Sequence, residues 1–282
     1  MNIEQRRTKL AEIRDNESCV TSTGIPLRYR GETRYERVYQ IPLEFLVYNK
    51  YNGRISSRVK AYERQNHELN AEDDADCAII EDMLWKSKED RNKKTMKDLV
   101  ENGQIRHGIV TTDGVIIDGN RRASLLSCAY RERNKHGWSA QNAERCLYFN
   151  SIILPEDATP RDIQQLETTY QMGEDDKLDY NPIEKYLKCQ DLKEVGFDEK
   201  QIAEMMDEFV ADIRKWLRTL ELMDDYLNYR EYQDMYPMLD HVEDYFLSLS
   251  KGLRDWSEQS SLAKSDWEYT DTDIDDLETH LV

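Results

Sequence analysis

The residues best placed to do chemistry are Asp118-Gly119-Asn120-Arg121-Arg122. A glycine between the β-branched run Val115-Ile116-Ile117 and a stretch of helical apolar spacing, Ala123 to Tyr130, predicts a strand that turns tightly into a helix. Such a turn aims backbone N–H groups and the positive end of the helix dipole at whatever lies above it, which favours an anion. Arg121 and Arg122 then fall in the first helical turn, where the dipole disfavours cations by a few tenths of a kcal/mol. A phosphate gripped bidentately by a guanidinium offsets that cost. The same residues allow a local alternative, in which both arginines pair with acids such as Asp118 or Glu132 and solvate the helix. Asp118 has two readings as well: a magnesium ligand or catalytic group, or a helix cap through its side-chain oxygen.

The elements that must hold this turn are legible around it. Thr95 to Asn102 reads as a helix stopped by Gly103. Gly108 to Thr111 and Val115 to Ile117 flank Thr112-Asp113-Gly114, and Asp-Gly between β-branched runs signals a hairpin. Val38 to Tyr48 is strand-like and ends in the turn cluster Asn49 to Arg54, and Cys146 to Leu154 supplies another strand. Residues 1–37 read as a polar leader, a short helix from Glu4 to Arg14 followed by an irregular stretch at 21–26. Residues 55–95 read as a polar insertion or mobile flap, helical from Asp76 to Lys86. Helices are expected at Pro160 to Gln171, Pro182 to Val195, Asp198 to Met206 and Glu208 to Met223. One or two more are expected between Asp224 and Trp256, and Ser257 to Val282 is expected to be frayed or disordered. The fold class is therefore α+β: a small mixed-sheet domain at 38–158, a helical domain at 159–223 and an acidic helical tail at 224–282.

Composition narrows the function classes. The 282 residues carry 39 Lys+Arg against 57 Asp+Glu, a net charge of −18, with mean hydropathy −0.86. The longest apolar runs span only a few residues, well short of the roughly twenty a membrane span needs. Met1 to Arg7 opens no secretory signal. Five scattered cysteines without a Cys-x-x-Cys pair fit reduced thiols in a cytoplasmic protein, and the five scattered histidines spell no metal site. Residues 219–282 alone hold 17 acids and 4 bases, a field that repels nucleic acid.

The order of the short motifs is informative. Ile41 to Arg54, Met96 to Thr111 and Val115 to Ala123 resemble the N-terminal domain of the ParB partition-protein family, within the ParB/sulfiredoxin superfamily. That family runs from an opening strand through a Gly-terminated helix to Gly-x-Arg-Arg-x-x-Ala, the last motif cradling a nucleoside triphosphate, commonly CTP, with Mg²⁺. The resemblance implies phosphate contacts from Gly119, Asn120, Arg121 and Arg122. It extends to Leu166-Glu167-Thr168-Thr169-Tyr170-Gln171 and Asn181-Pro182-Ile183-Glu184, which puts Glu167 and Gln171 beside the nucleotide, CTP or ATP. Arg54 matches an Arg near the nucleotide or its opening loop, with surface solvation as the alternative. His107 and Gln104 are candidates for the same pocket. Three departures stand out. Met172 replaces an Arg, residues 172–180 intervene before Asn181, and Asn120 occupies the position of the sulfiredoxin cysteine, so that redox chemistry is not expected. A related free-serine kinase carries an Asp before its motif Gly, to which Asp118 is similar.

Residues 184–223 resemble the helix-turn-helix section of ParB proteins. Ile202, Met205 and Met206 form one apolar stripe, and Val210, Ile213, Leu217 and Leu220 another. Arg214, Lys215 and Arg218 are the DNA-reading candidates on the second helix, opposed by Glu208 and Asp212 near its start. Protein contact is the alternative role. Tyr226, Tyr229, Tyr232 and Tyr236 recur every three to four residues and so fall on one helix face. With Tyr245, they mark a helix–helix core or a seam for a second copy or a basic partner. The expectation is a ParB-like nucleotide switch gating DNA or self-association in a plasmid, phage or mobile-element setting. The alternatives are a Mg²⁺-dependent phosphotransferase or nuclease using Asp118 with a carboxylate such as Glu44, and an acidic protein-interaction module.

Overall fold

The computed structural model describes residues 1–172 and 181–262. The first elements are α1 (Ile3–Asp15), β1 (Val20–Tyr29), β2 (Glu32–Pro42), α2 (Ser56–Gln65), α3 (Asp74–Lys86), α4 (Glu89–Asn102), β3 (Gly108–Val110) and β4 (Ile116–Asp118). They are followed by α5 (Asn120–Arg131), α6 (Arg133–His136), α7 (Ala140–Arg145), β5 (Tyr148–Ile153) and α8 (Pro160–Met172). The remaining helices are α9 (Pro182–Glu194), α10 (Glu199–Met206), α11 (Val210–Tyr229) and α12 (Glu243–Leu262). The chain is mixed α+β. It divides into two compact units, Met1–Ile55 with Leu69–Glu174, and Ser56–Glu68 with Asp175–Val282. No described helix is long and apolar enough to cross a membrane.

The first unit is built on a five-stranded sheet of order β1-β2-β5-β3-β4, antiparallel except for the parallel β3–β5 pair. Successive strand residues point to opposite faces, and the core divides accordingly. Val110, Ile116 and Ile153 join Met96 and Leu99 of α4 and Ala123 and Leu126 of α5 in one layer. Ile109, Ile117 and Ile152 join Leu166 of α8 in the other. The sheet therefore carries helices on both faces, which fixes the β4-to-α5 turn between buried layers.

Three sequence expectations are corrected here. Residues 21–26 belong to β1, irregular in that its register with β2 shifts between Val20 and Ser22 and again between Ser22 and Ile25, while the regular part beyond buries Leu27 and Tyr29. Gly24, at φ 70°, and Pro26 interrupt this edge strand in a way that discourages pairing with another chain. The β1–β2 turn uses Arg30 at φ 52° and Gly31 at φ 81°. Arg30 is held in that unusual conformation by bonds to Asp157 at 2.7 Å and Asp162 at 2.8 Å. Second, the strand expected at 38–48 lies earlier, at Glu32–Pro42, and a 3-10 turn at Leu43–Phe45 follows Pro42. Third, residues 55–95, expected as an insertion or mobile flap with one helix, carry α2, α3 and the first half of α4. In α3 and α4 an apolar face buries Ile80, Leu84, Met96, Leu99 and Val100, and Gly103 at φ 81° ends α4 as expected. Buried Arg6 of α1 donates to the Asp113 carbonyl and pairs with Glu72 at 2.5 Å, clamping the β3–β4 hairpin.

The second unit is helical. Ile183 and Leu187 of α9, Leu220, Met223 and Leu227 of α11, and Tyr236 and Leu239 of a 3-10 turn form its core. Asn181 caps α9 with Pro182 at its first position, and an Asp198–Gln201 capping box opens α10. The tyrosines do not share one helix face: α11 ends at Tyr229, and Glu231 and Asp234 adopt φ 60° and 65°. Tyr236 is instead buried in the connector, donating its hydroxyl to Asp224 at 2.6 Å. The frayed segment expected at Ser257–Val282 is helical through Leu262 and otherwise lies outside the described residues, as does the intervening stretch 173–180.

Candidate phosphate site

Gly119 is the N-cap of α5 at φ 102° and, having no side chain, supplies no capping oxygen. The glycine is required twice over. The left-handed conformation disfavours other residues, and a Cβ there would lie 2.6 Å from the Phe149 ring. Gly108 on β3 faces the same ring, where a Cβ would lie 2.3 Å from it and 2.8 Å from the Asp118 carbonyl oxygen. Two glycines thus form a slot for fully buried Phe149 of β5, and the slot brings the α5 N-terminus down onto the sheet. The first turn of α5 contains no acid, only Arg121 and Arg122.

The candidates that precede this turn are engaged with one another. Arg122 pairs with Asp118 at 2.5 Å and donates to the carbonyls of Arg106 at 2.6 Å and His107 at 3.0 Å. The local ion-pair alternative therefore describes Arg122. Asp118 does not cap α5. His107 is half-buried, and burial with the Arg122 charge beside it lowers its pKa, so its imidazole is neutral at pH 7. Gln104 bridges to β5, donating to the Asn150 carbonyl at 2.8 Å and accepting from its N–H at 2.8 Å.

A second layer ties the 49–54 loop to two helices. Buried Asn120 donates to the Ile116 carbonyl at 2.9 Å and accepts from the Asn49 N–H at 2.9 Å. Asn49 donates to Glu167 at 3.3 Å, and Gln171 donates to the Ile117 carbonyl at 2.9 Å. Asn120, Glu167 and Gln171, expected as ligand contacts, are buried brackets that position the loop, β4 and α5. Half-buried Arg54 sits in the same loop, its N–H accepted by Asn52 at 3.1 Å. Sequence reasoning missed Asn49, for which the only signal was its place in the Asn-rich turn cluster. Glu44 is exposed on the 3-10 turn and, among the described residues, makes no bond to Asp118. A cleft of about 280 Å³ also opens in this unit, but it is lined by α1 residues such as Arg7 and Arg14 with Ile153 and Glu156. None of the expected site residues lines it.

No group of three or more His, Cys, Asp or Glu able to hold a metal occurs among the described residues. Magnesium is commonly bound by one or two carboxylates plus phosphate oxygens, and Asp118 supplies one such carboxylate.

In the second unit, α10 and α11 are joined by a short turn that opens at Asp207, left-handed at φ 52°. Of the three DNA-reading candidates, Arg214 pairs with Glu199 at 2.6 Å, Lys215 is exposed and Arg218 is half-buried. This unit holds 15 bases and 31 acids, a net of −16, whereas the first holds 24 and 26. That field opposes DNA at α11.

The fold and site together define a mixed α+β unit with a glycine-hinged, arginine-flanked helix N-terminus, joined in one chain to an acidic helical unit. No protein-family model matches the sequence, and no curated protein matches it.

Proposed function

We propose that the first unit binds a nucleoside triphosphate, CTP or ATP, at Gly119 to Arg122, as a ParB-like switch gating DNA or self-association in a plasmid, phage or mobile-element setting. The observation that carries the reading is the α5 N-terminus, with a glycine N-cap that supplies no side-chain oxygen, no first-turn acid and two adjacent arginines. Phosphate would satisfy the helix amides and draw the Arg122 guanidinium from Asp118, leaving that carboxylate available to Mg²⁺. The ion pair is thus a latch opened by an anion that competes for the guanidinium. Buried Asn120, Glu167 and Gln171 hold the turn in place rather than touching the ligand.

Equilibrium dialysis with radiolabelled CTP, ATP and GTP tests this. One nucleotide should bind, and Arg121→Ala/Arg122→Ala should weaken it by at least about tenfold, the cost of roughly one charge-assisted pair. No binding by the unaltered chain, with or without DNA, overturns the proposal. Asp118→Asn gives a separate expected outcome: Mg²⁺-dependent binding is lost while metal-free binding tightens, because Arg122 no longer has a competing carboxylate. The second reading, an acidic protein-interaction module, is favoured by the −16 net charge of the helical unit.

A further inference from the structure

The connector between α11 and α12, with the helix ends that flank it, exposes aromatic and apolar surface where an acidic unit has least reason to. Tyr229 is 73% exposed, Tyr232 44%, Met238 52% and Tyr245 75%. The Tyr226 and Phe246 rings pack edge-to-face at 5.6 Å, which brings these ends of α11 and α12 together. Tyr229 lies one turn beyond Tyr226, and Tyr245 is the neighbour of Phe246. The Tyr232 N–H bonds the Leu227 carbonyl at 2.7 Å, and the Tyr236 hydroxyl bonds Asp224 at 2.6 Å, so the connector is pinned back on α11. The exposed rings are thus presented on an anchored frame.

Charge decides what such a surface fits. Residues 221–245 contain eight acids, Asp225, Glu231 and Asp244 among the exposed ones, and one base, Arg230. Nucleic acid is repelled by that field, and so is a second copy of the same surface. A guanidinium-rich segment satisfies both features, because Arg stacks on aromatic faces and pairs bidentately with carboxylates. We infer that the α11–α12 connector is a docking surface for an arginine-rich segment of a partner protein, with Tyr229, Tyr232 and Tyr245 as stacking faces and the flanking acids as pairing groups. This stands independently of the nucleotide site.

The probes are a fluorescein-labelled nine-residue arginine peptide, a lysine peptide of equal length and a DNA duplex, each titrated against the full chain. The arginine peptide should bind more tightly than the lysine peptide. Tyr229→Leu/Tyr232→Leu/Tyr245→Leu, which keeps apolar area but removes the ring faces, should weaken it about tenfold and erase the preference for arginine. Asp225→Asn/Glu231→Gln/Asp244→Asn should flatten the salt dependence with an unchanged circular dichroism spectrum. Equal affinity for the two peptides, or an unchanged arginine affinity in the leucine variant, shows only attraction to an acidic chain and overturns the inference. So does labelled duplex that binds the chain and loses that binding in the leucine variant, or a dimer that the leucine substitutions dissolve.

Discussion

Gly108→Ala is expected to destabilise the first unit by about 2–4 kcal/mol, the range of a severe core overpacking. The added methyl would lie 2.3 Å and 2.4 Å from two atoms of the Phe149 ring and 2.8 Å from the Asp118 carbonyl oxygen. Neither obstacle yields easily: Phe149 is fully buried, and the carbonyl belongs to the residue before the Gly119 hinge. Phe149→Leu alone should cost about 1–3 kcal/mol through lost packing. The double variant should cost clearly less than the two together, since the smaller side chain leaves room for the methyl. Urea denaturation of the four proteins measures that coupling, and strict additivity would show that the ring and glycine do not meet as described. On the proposed function, nucleotide affinity lost in Gly108→Ala and regained in the double variant would tie the proposed phosphate contacts to this slot.

The hinge itself was legible because glycine between a β-branched run and an apolar-periodic stretch has few local meanings. Its reason was not: nothing near Gly119 in sequence announces Phe149, thirty residues downstream. The hairpin at Asp113-Gly114 was equally readable, yet the Phe45 carbonyl that a Cβ at Gly114 would meet at 2.4 Å is a long-range fact. Of the two local readings for the arginines, the ion pair to Asp118 describes Arg122, an i,i+4 pair that spacing alone suggested. Asn120 was read as a ligand contact because it stands inside the motif. Only the fold reveals that its buried amide bonds the Ile116 carbonyl at one end and the Asn49 N–H at the other. Strand β1 was missed because Thr21 to Pro26 is polar and carries Gly and Pro, so pairing with β2 overrides the local signals. The tyrosine spacing failed for the opposite reason: a regular period of three to four continued past Tyr229, but the backbone turned left-handed at Glu231 and Asp234 and ended the helix.

The buried polar contact at the start of α2 sets the largest expected pH effect. Glu184, in the first turn of α9, accepts the Ser57 N–H at 3.1 Å and the Ser57 hydroxyl at 2.6 Å, so a carboxyl from one helix caps another. Burial pushes its pKa from 4.5 up to about 7, and Asp240 adds to the rise, while the Ser57 donors and Arg58 oppose it. Burial dominates because the side chain is nearly sealed from water. The folded chain therefore holds a proton that the unfolded chain releases between pH 4.5 and about 7. Stability from this group is complete below that window, falls as pH rises through it and is gone above it. A shift of this size corresponds to about 3 kcal/mol at most. Glu184→Gln keeps an acceptor for Ser57 and cannot ionise. Relative to the unaltered chain, the variant should be more stable at pH 8 and lose that advantage progressively toward pH 5, as read from urea midpoints across the range. Hydrogen exchange at residues 56–65 should follow the same course, with α2 amides of the unaltered chain opening more readily above pH 7. A stability difference that stays flat from pH 5 to pH 8 would mean that Glu184 is already ionised throughout. The hydrogen bonds from Ser57 would then outweigh the desolvation that the sealed position imposes.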